Sequence, residues 1–325
     1  MKSASPLERF RSAAARHAAS LPAGEGLAWL LRHGLLSLAR RDELPAELRS
    51  ALQPRLRENL ARNLLYVERF RRAVDALGEL PVCPLKGIYL LDTVYARDPE
   101  HRPLTDLDLL VRPEDAEQAA RRLSDTLGLD TPTASTPSRH PWLARTLSDG
   151  STIVDLHTTL SPVHAEAGAW SALAPQPARI HGRRAYVLDD ATTLVHLVTH
   201  LVRHGPFVRL GWVEDVLRLL GAGAGDGAGR LEESVEIARR LGNRRAFLAG
   251  LDLLARLWGV PPSATSGRDR RVIDLHRRLL WPGVCVRPFL SENKSTTIRR
   301  AASGLLLADR PAAAVRLVRA WLAER

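Results

Sequence analysis

Thr105-Asp106-Leu107-Asp108-Leu109-Leu110-Val111 is an apolar, strand-prone stretch whose only charges stand two residues apart. On a β-strand, side chains at that spacing leave the same face, so Asp106 and Asp108 project side by side. Carboxylates so placed repel each other and stay ionised together only beside a cation. A divalent ion meets that need, and Mg²⁺ favours one or two carboxylates combined with substrate phosphate oxygens. Upstream, Lys86-Gly87 opens an apolar stretch, 88–95, that reads as a helix. A glycine at a helix start lets a phosphate approach the backbone amides and the positive end of the dipole. Together the two features predict a nucleoside triphosphate site.

Downstream, Thr152-Ile153-Val154-Asp155-Leu156-His157 reads as a second strand, with Asp155 and His157 on one face by the same period of two. If the two strands are neighbours, three carboxylates converge. Three carboxylates suit two-metal phosphoryl chemistry, one ion activating an attacking hydroxyl and the other steadying the triphosphate and its pyrophosphate leaving group.

Around these strands the pattern is mostly helical, which predicts an α+β chain: a small mixed β-sheet core at 79–189, between an N-terminal helical region, 1–78, and a C-terminal one, 190–325. Leucines recur with helical spacing through 27–38, where Gly34 interrupts only mildly. Pro45 opens a helix, and Pro54 is expected to end or restart it. Beyond it, Leu60, Leu64, Leu65, Val67 and Phe70 form the expected apolar face. The run 80–85 contains Pro81 and Pro84 and is an edge strand at best. Residues 97–103 read as a polar loop, and Pro113-Glu114-Asp115 opens a helix through Leu123. Ser148-Asp149-Gly150 joins strands at 142–147 and 152–160 as a hairpin, and 186–188 is a further short strand. Asp189 or Asp190 caps a helix over 191–203. Gly/Ala-rich 221–229 and then 261–267 are read as a joint and a loop.

The net charge of the 325 residues is +11, almost wholly from arginine: Lys2, Lys86 and Lys294 are the only lysines. Arginine pairs such as Arg121-Arg122 and Arg239-Arg240 read mostly as solvated faces, though some could line a groove for an anionic acceptor. The Ala/Arg/Leu/Pro-rich usage is that of a high-GC bacterial genome, so the basic charge is a weak sign of nucleic-acid binding. Cys83 and Cys285 have no metal-ligand spacing and read as free, buried thiols. No apolar run approaches the roughly 18 residues of a membrane span, and a cytoplasmic protein is expected.

The order Leu85-Lys86-Gly87, Arg102, Asp106-Leu107-Asp108-Leu109-Leu110-Val111 and Asp155-Leu156-His157 resembles the nucleotidyltransferases of the DNA polymerase β superfamily. It looks closest to the bacterial nucleotidyltransferase family often found near natural-product or polysaccharide gene clusters. The resemblance spans about residues 80–220 and takes in the helix with His200 and the segment Leu210-Gly211-Trp212-Val213-Glu214-Asp215. It implies that Asp106, Asp108 and Asp155 are catalytic and hold Mg²⁺ (or Mn²⁺), two ions in all. Lys86, Gly87 and Arg102 would contact the nucleotide. Ile88 departs from the pattern, standing where the wider superfamily carries a second glycine or a serine. The implied reaction moves a nucleoside monophosphate from an NTP to an acceptor and releases pyrophosphate.

His157 reads either as a buried histidine bonded to the backbone or as a support orienting Asp155. His196, His200 and His204 form one helical stripe, read as a polar face beside a cleft rather than a transition-metal site. The acceptor is open: a small molecule, a peptide, a protein side chain or a tRNA. Rival readings are a non-catalytic nucleotide- or RNA-binding module on the same fold, a helical interaction protein embedding a small sheet, and a toxin-like transferase acting on tRNA.

Overall fold

A computed structural model describes residues 4–130, 143–161, 166, 168–204, 209–222, 227–261, 267–280 and 307–309. Cys285, Trp142, the middle of the expected joint (223–226) and most of the loop at 261–267 lie outside them. The fold is α+β, with a small mixed sheet inside a larger helical body.

The chain opens with α1 (Pro6–Ala19) and α2 (Ala23–His33). Gly34 does more than interrupt: at φ +67° it ends α2 in the left-handed region, and a 3₁₀ turn, Leu36–Arg40, follows. The long helix α3 (Ala46–Leu77) runs straight through Pro54, against expectation. Pro54 is exposed, so the carbonyl it leaves without a helical donor, that of Ser50, faces water, and the buried stripe of Leu48, Leu52 and Leu56 continues unbroken.

The inner face of α3 is also not the one its leucines suggest. Leu64 and Leu65 are 61% and 68% exposed, while Asn59, Asn63, Tyr66 and Phe70 are buried. The asparagines are satisfied by backbone. Asn59 Nδ2 donates to the Glu100 carbonyl (2.8 Å), Asn63 Nδ2 to those of Pro99 (2.7 Å) and Arg102 (2.9 Å), and the Leu104 amide donates to Asn63 Oδ1 (3.3 Å). Tyr66 adds a bond to the Thr105 carbonyl (2.7 Å). The segment expected to be a plain polar loop thus holds a 3₁₀ turn, Pro99–His101, fastened to α3 just before the carboxylate strand.

Edge strand β1 (Val82–Pro84) leads into the short α4 (Lys86–Asp92). Strand β2 (Leu107–Val111) is buried throughout, and a 3₁₀ turn, Pro113–Asp115, opens α5 (Ala116–Leu127). Strands β3 (Leu143–Ser148) and β4 (Ile153–His157) form the expected hairpin. The sheet order is β1-β2-β4-β3. β2 and β4 are the parallel central pair, and β1 and β3 pair antiparallel at the edges. A short helix, α6 (Trp170–Leu173), precedes a second hairpin, β5 (Gln176–Ile180) with β6 (Arg183–Val187), where a single strand was expected.

Helices α7 (Asp190–His204), α8 (Gly211–Gly221), α9 (Gly227–Arg240), α10 (Arg244–Trp258) and α11 (Gly267–Leu280) follow. Asp189 caps α7, its Oδ1 accepting from the Thr192 amide at 2.6 Å. α7 packs against α8, α9 and α10, while α1 packs on α8 and α10. The larger apolar core therefore runs from Phe10 through the sheet to Trp258 and Leu307, and a smaller one gathers Cys83, Leu110 and Trp170. Among the described residues no helix is long and apolar enough to cross a membrane. Arg122 does not lie on a solvated face; it donates to the Leu77 carbonyl at the end of α3. Cys83 is fully buried, and burial pushes its thiol up to about 12, which leaves it inert.

Candidate active site

The pairing of β2 with β4 sets Asp108 directly opposite Asp155. Asp106, two residues before Asp108, lies just ahead of β2 and faces the same way. The three residues offer carboxylate oxygens all within 4.8 Å of one another, the only group of this kind among the described residues. Burial raises the Asp106 carboxyl to about 6, Asp108 and Asp155 add to the rise, and Lys86 and Arg102 partly offset it. Asp155 is held above the usual range by burial and by Asp108, although Thr146 Oγ1 donates to its Oδ1 at 2.7 Å. Oxygen-only ligands, packed tightly enough to resist ionisation, form a donor set for a hard divalent cation.

Asp108 is the exception among the three. Burial would raise its pKa, yet Lys86 and His157 together drive it far below the usual carboxylate range. Lys86 Nζ donates to Oδ1 at 2.7 Å, and His157 Nε2 meets the same oxygen at 2.8 Å. An ionised carboxylate only accepts, so Nε2 carries the proton. His157 therefore supports Asp108, where the sequence offered a backbone bond or Asp155. Oδ2 has no protein donor among the described residues.

Lys86 begins α4 with φ +46°, in the left-handed region where a non-glycine residue is strained. That backbone turns its side chain onto Asp108. Gly87 follows for a steric reason: a Cβ there would sit 2.4 Å from Leu104 Cδ2 and 3.0 Å from Arg102 Nη1. Gly87→Ala is therefore expected to cost about 1–3 kcal/mol through overpacking. It should also shift α4, which thermal denaturation with and without Mn²⁺ would show as a lower midpoint and a smaller response to the metal. Ile88 is fully buried and faces the core.

Arg102 reaches the cleft but is already paired. Nη2 and Nε donate to Asp215 at 2.8 and 3.2 Å, and Nη1 to the Pro103 carbonyl at 2.7 Å. Tyr95 Oη also donates to Asp215, at 2.9 Å. The neighbouring Glu214 accepts from Arg11 (2.7 Å), Ser37 (2.6 Å) and Arg218 (3.1 Å), and Arg218 lies 4.1 Å over the Tyr95 ring. Two adjacent buried acids on α8 thereby tie that helix to α1 and to the segment carrying Arg102. In the sequence, their presence inside the apolar run of α8 was the available signal for this role.

A cleft of about 220 Å³ joins these parts, lined by Lys86, Gly87, Arg102 and the three aspartates on one side. His200, His204, Arg209 and Trp212 face them from α7, α8 and the chain between. His200 lies against His204 at 4.3 Å between centroids, the rings tilted by 41°, and meets Trp212 edge-on at 4.6 Å. Burial, reinforced by Lys86, holds His196 and His200 well below their ordinary value, so these imidazoles are neutral.

The family described as uncharacterised nucleotidyltransferase matches residues 12–259, a span containing every element of this cleft. The chain belongs to that nucleotidyltransferase family. No curated protein and no solved structure gives a significant match. The match extends well beyond the sheet into α1–α3 and α7–α10. Helices that complete the cleft thus fall within the family's span, along with the strands that bear the carboxylates.

Proposed function

We propose that this nucleotidyltransferase moves a nucleoside monophosphate from an NTP to an oxygen nucleophile of an acceptor, releasing pyrophosphate in a divalent-metal-dependent reaction. The convergence of Asp106, Asp108 and Asp155 on one sheet face is the observation that supports this reading most directly. These residues fit Mg²⁺ or Mn²⁺, two ions, which when bound would neutralise the phosphate chain and activate the attacking oxygen. Lys86 and His157 hold Asp108 ionised and fixed. Asp155 or a water would take the acceptor's proton. Lys86, Gly87 and Arg102 form the wall along which the triphosphate would lie. Within a polymerase β-like core at 79–189, this wall stands under helical flanks, 1–78 and 190–325, that would select the acceptor in the cytoplasm.

The test is incubation with each labelled NTP, Mg²⁺ or Mn²⁺, and a cell extract as acceptor pool, following pyrophosphate release and label transfer. Transfer by wild type and none by an Asp106→Ala/Asp108→Ala double variant is expected. Silence from both, with no change in melting temperature on adding metal or NTP, would overturn the proposal. Metal alone is expected to stabilise the protein by about 2.7 kcal/mol at a hundredfold excess over its dissociation constant. Titrating Mn²⁺ against the thermal midpoint checks this, and the shift should vanish in the double variant.

A further inference from the structure

The cleft contains three cationic side chains, and two of them are neutralised by the protein itself. Lys86 is bound to Asp108, and Arg102 is held by Asp215 through two nitrogens and by the Pro103 carbonyl through the third. The third is Arg209, immediately before α8, which lines the same cleft opposite the aspartates. Among the described residues its guanidinium has neither a hydrogen-bond acceptor nor a carboxylate partner. It is partly buried, and burial together with Arg102 lowers its pKa against a smaller opposing pull from Asp215 and Asp106, neither of which it contacts. It packs closely on the turn that ends α2: a Cβ at Gly34 would lie 3.2 Å from Arg209 Nε.

A partly buried guanidinium without an acceptor is costly, and the structure keeps one beside a site built to assemble phosphate and metal. Its planar fork suits two oxygens of one phosphate. We infer that Arg209 binds a phosphate of the nucleotide's polyphosphate chain, closing the cleft from the helical side, while Arg102 serves to hold Asp215 and α8 in place. The inference rests on the nucleotidyl-transfer reading and adds a contact that the sequence pattern did not single out.

Inorganic tripolyphosphate with Mn²⁺ is the probe, because it carries the phosphate chain without a base. Calorimetric titration would measure Mn²⁺ alone and then tripolyphosphate in the presence of Mn²⁺. The proteins compared are wild type, Arg209→Ala, Arg209→Lys and, as control, a variant of the exposed Arg57, Arg57→Ala. Loss of a charge-assisted contact should weaken tripolyphosphate by roughly ten- to a hundredfold in Arg209→Ala. Arg209→Lys should recover part of this, and Mn²⁺ affinity should stay at the wild-type value. The metal-free melting temperature of Arg209→Ala should equal or exceed that of wild type, whereas an arginine with a merely structural role would lower it. Equal tripolyphosphate affinity in wild type and Arg209→Ala would overturn the inference and leave the metal site standing. So would Mn²⁺ binding by wild type with no tripolyphosphate binding. Failure of wild type to bind Mn²⁺ would remove the nucleotidyl-transfer reading, and this inference with it.

Discussion

Asp106→Asn is expected to abolish nucleotidyl transfer and, in the absence of metal, to make the protein more stable. Both effects have one origin. Asp106 lies within 4.8 Å of the other two carboxylates, and its carboxyl is raised to about 6 by burial and by those neighbours. At neutral pH the folded state therefore pays to ionise it, and an amide of the same shape removes that repulsion. The gain should be about 1–2 kcal/mol once residual exposure to solvent is allowed for. The same change removes a charged ligand from the proposed metal site. Metal-assisted charge neutralisation supplies several kcal/mol to a phosphoryl-transfer transition state, so the turnover loss should be on the order of 10³-fold or more. Urea denaturation in EDTA, alongside the labelled-NTP assay, checks the two halves. A variant that lost activity and stability together would show that Asp106 serves the fold and not the chemistry.

The largest effect on stability is expected from Glu214→Ala. Glu214 is 1% exposed and receives donors from Arg11, Ser37 and Arg218. Removing it leaves Arg11 without its closest partner and Arg218 with Asp98 as its remaining carboxylate partner, at a cost of about 3–5 kcal/mol. Burial opposes ionisation of this glutamate, yet Arg11, Arg218 and Ser37 outweigh it and hold the carboxyl below its ordinary 4.5. A depressed carboxyl stabilises the fold above its unfolded value, and the benefit is lost as pH falls through the folded one. Wild type should therefore lose stability steeply below about pH 4.5, and Glu214→Gln should show a shallower acid limb. Urea midpoints at pH 7 and pH 4 measure this. A pH profile unchanged in Glu214→Gln would mean that other carboxylates govern acid unfolding.

What was legible in the sequence is what repeats locally. The period of two put Asp106 with Asp108, and the apolar texture around Asp155 marked a strand that proves to pair with β2. Long-range pairing was not legible. No local pattern says that Arg102 meets Asp215, 113 residues away, or that His157 meets Asp108 rather than the nearer Asp155. Hydrophobicity misdirected the reading of α3, because its inward face uses Asn59 and Asn63 to satisfy carbonyls of the 3₁₀ turn Pro99–His101 and of the Arg102 that follows it. Buried asparagines look like surface residues until their acceptors are known. Arg209 was one arginine among many, and only its lack of a carboxylate partner in the cleft sets it apart.

The direct opposition of Asp108 and Asp155 also dictates where this chain can change length. One residue inserted in or deleted from β2 or β4 would turn the following side chains to the other face and carry a carboxylate away from its companions. The turn at 149–152 is under no such constraint, since lengthening it leaves the pairing of Asp108 with Asp155 untouched. Gaps among relatives should therefore gather in the turns and spare the two strands, however far the rest of the sequence drifts.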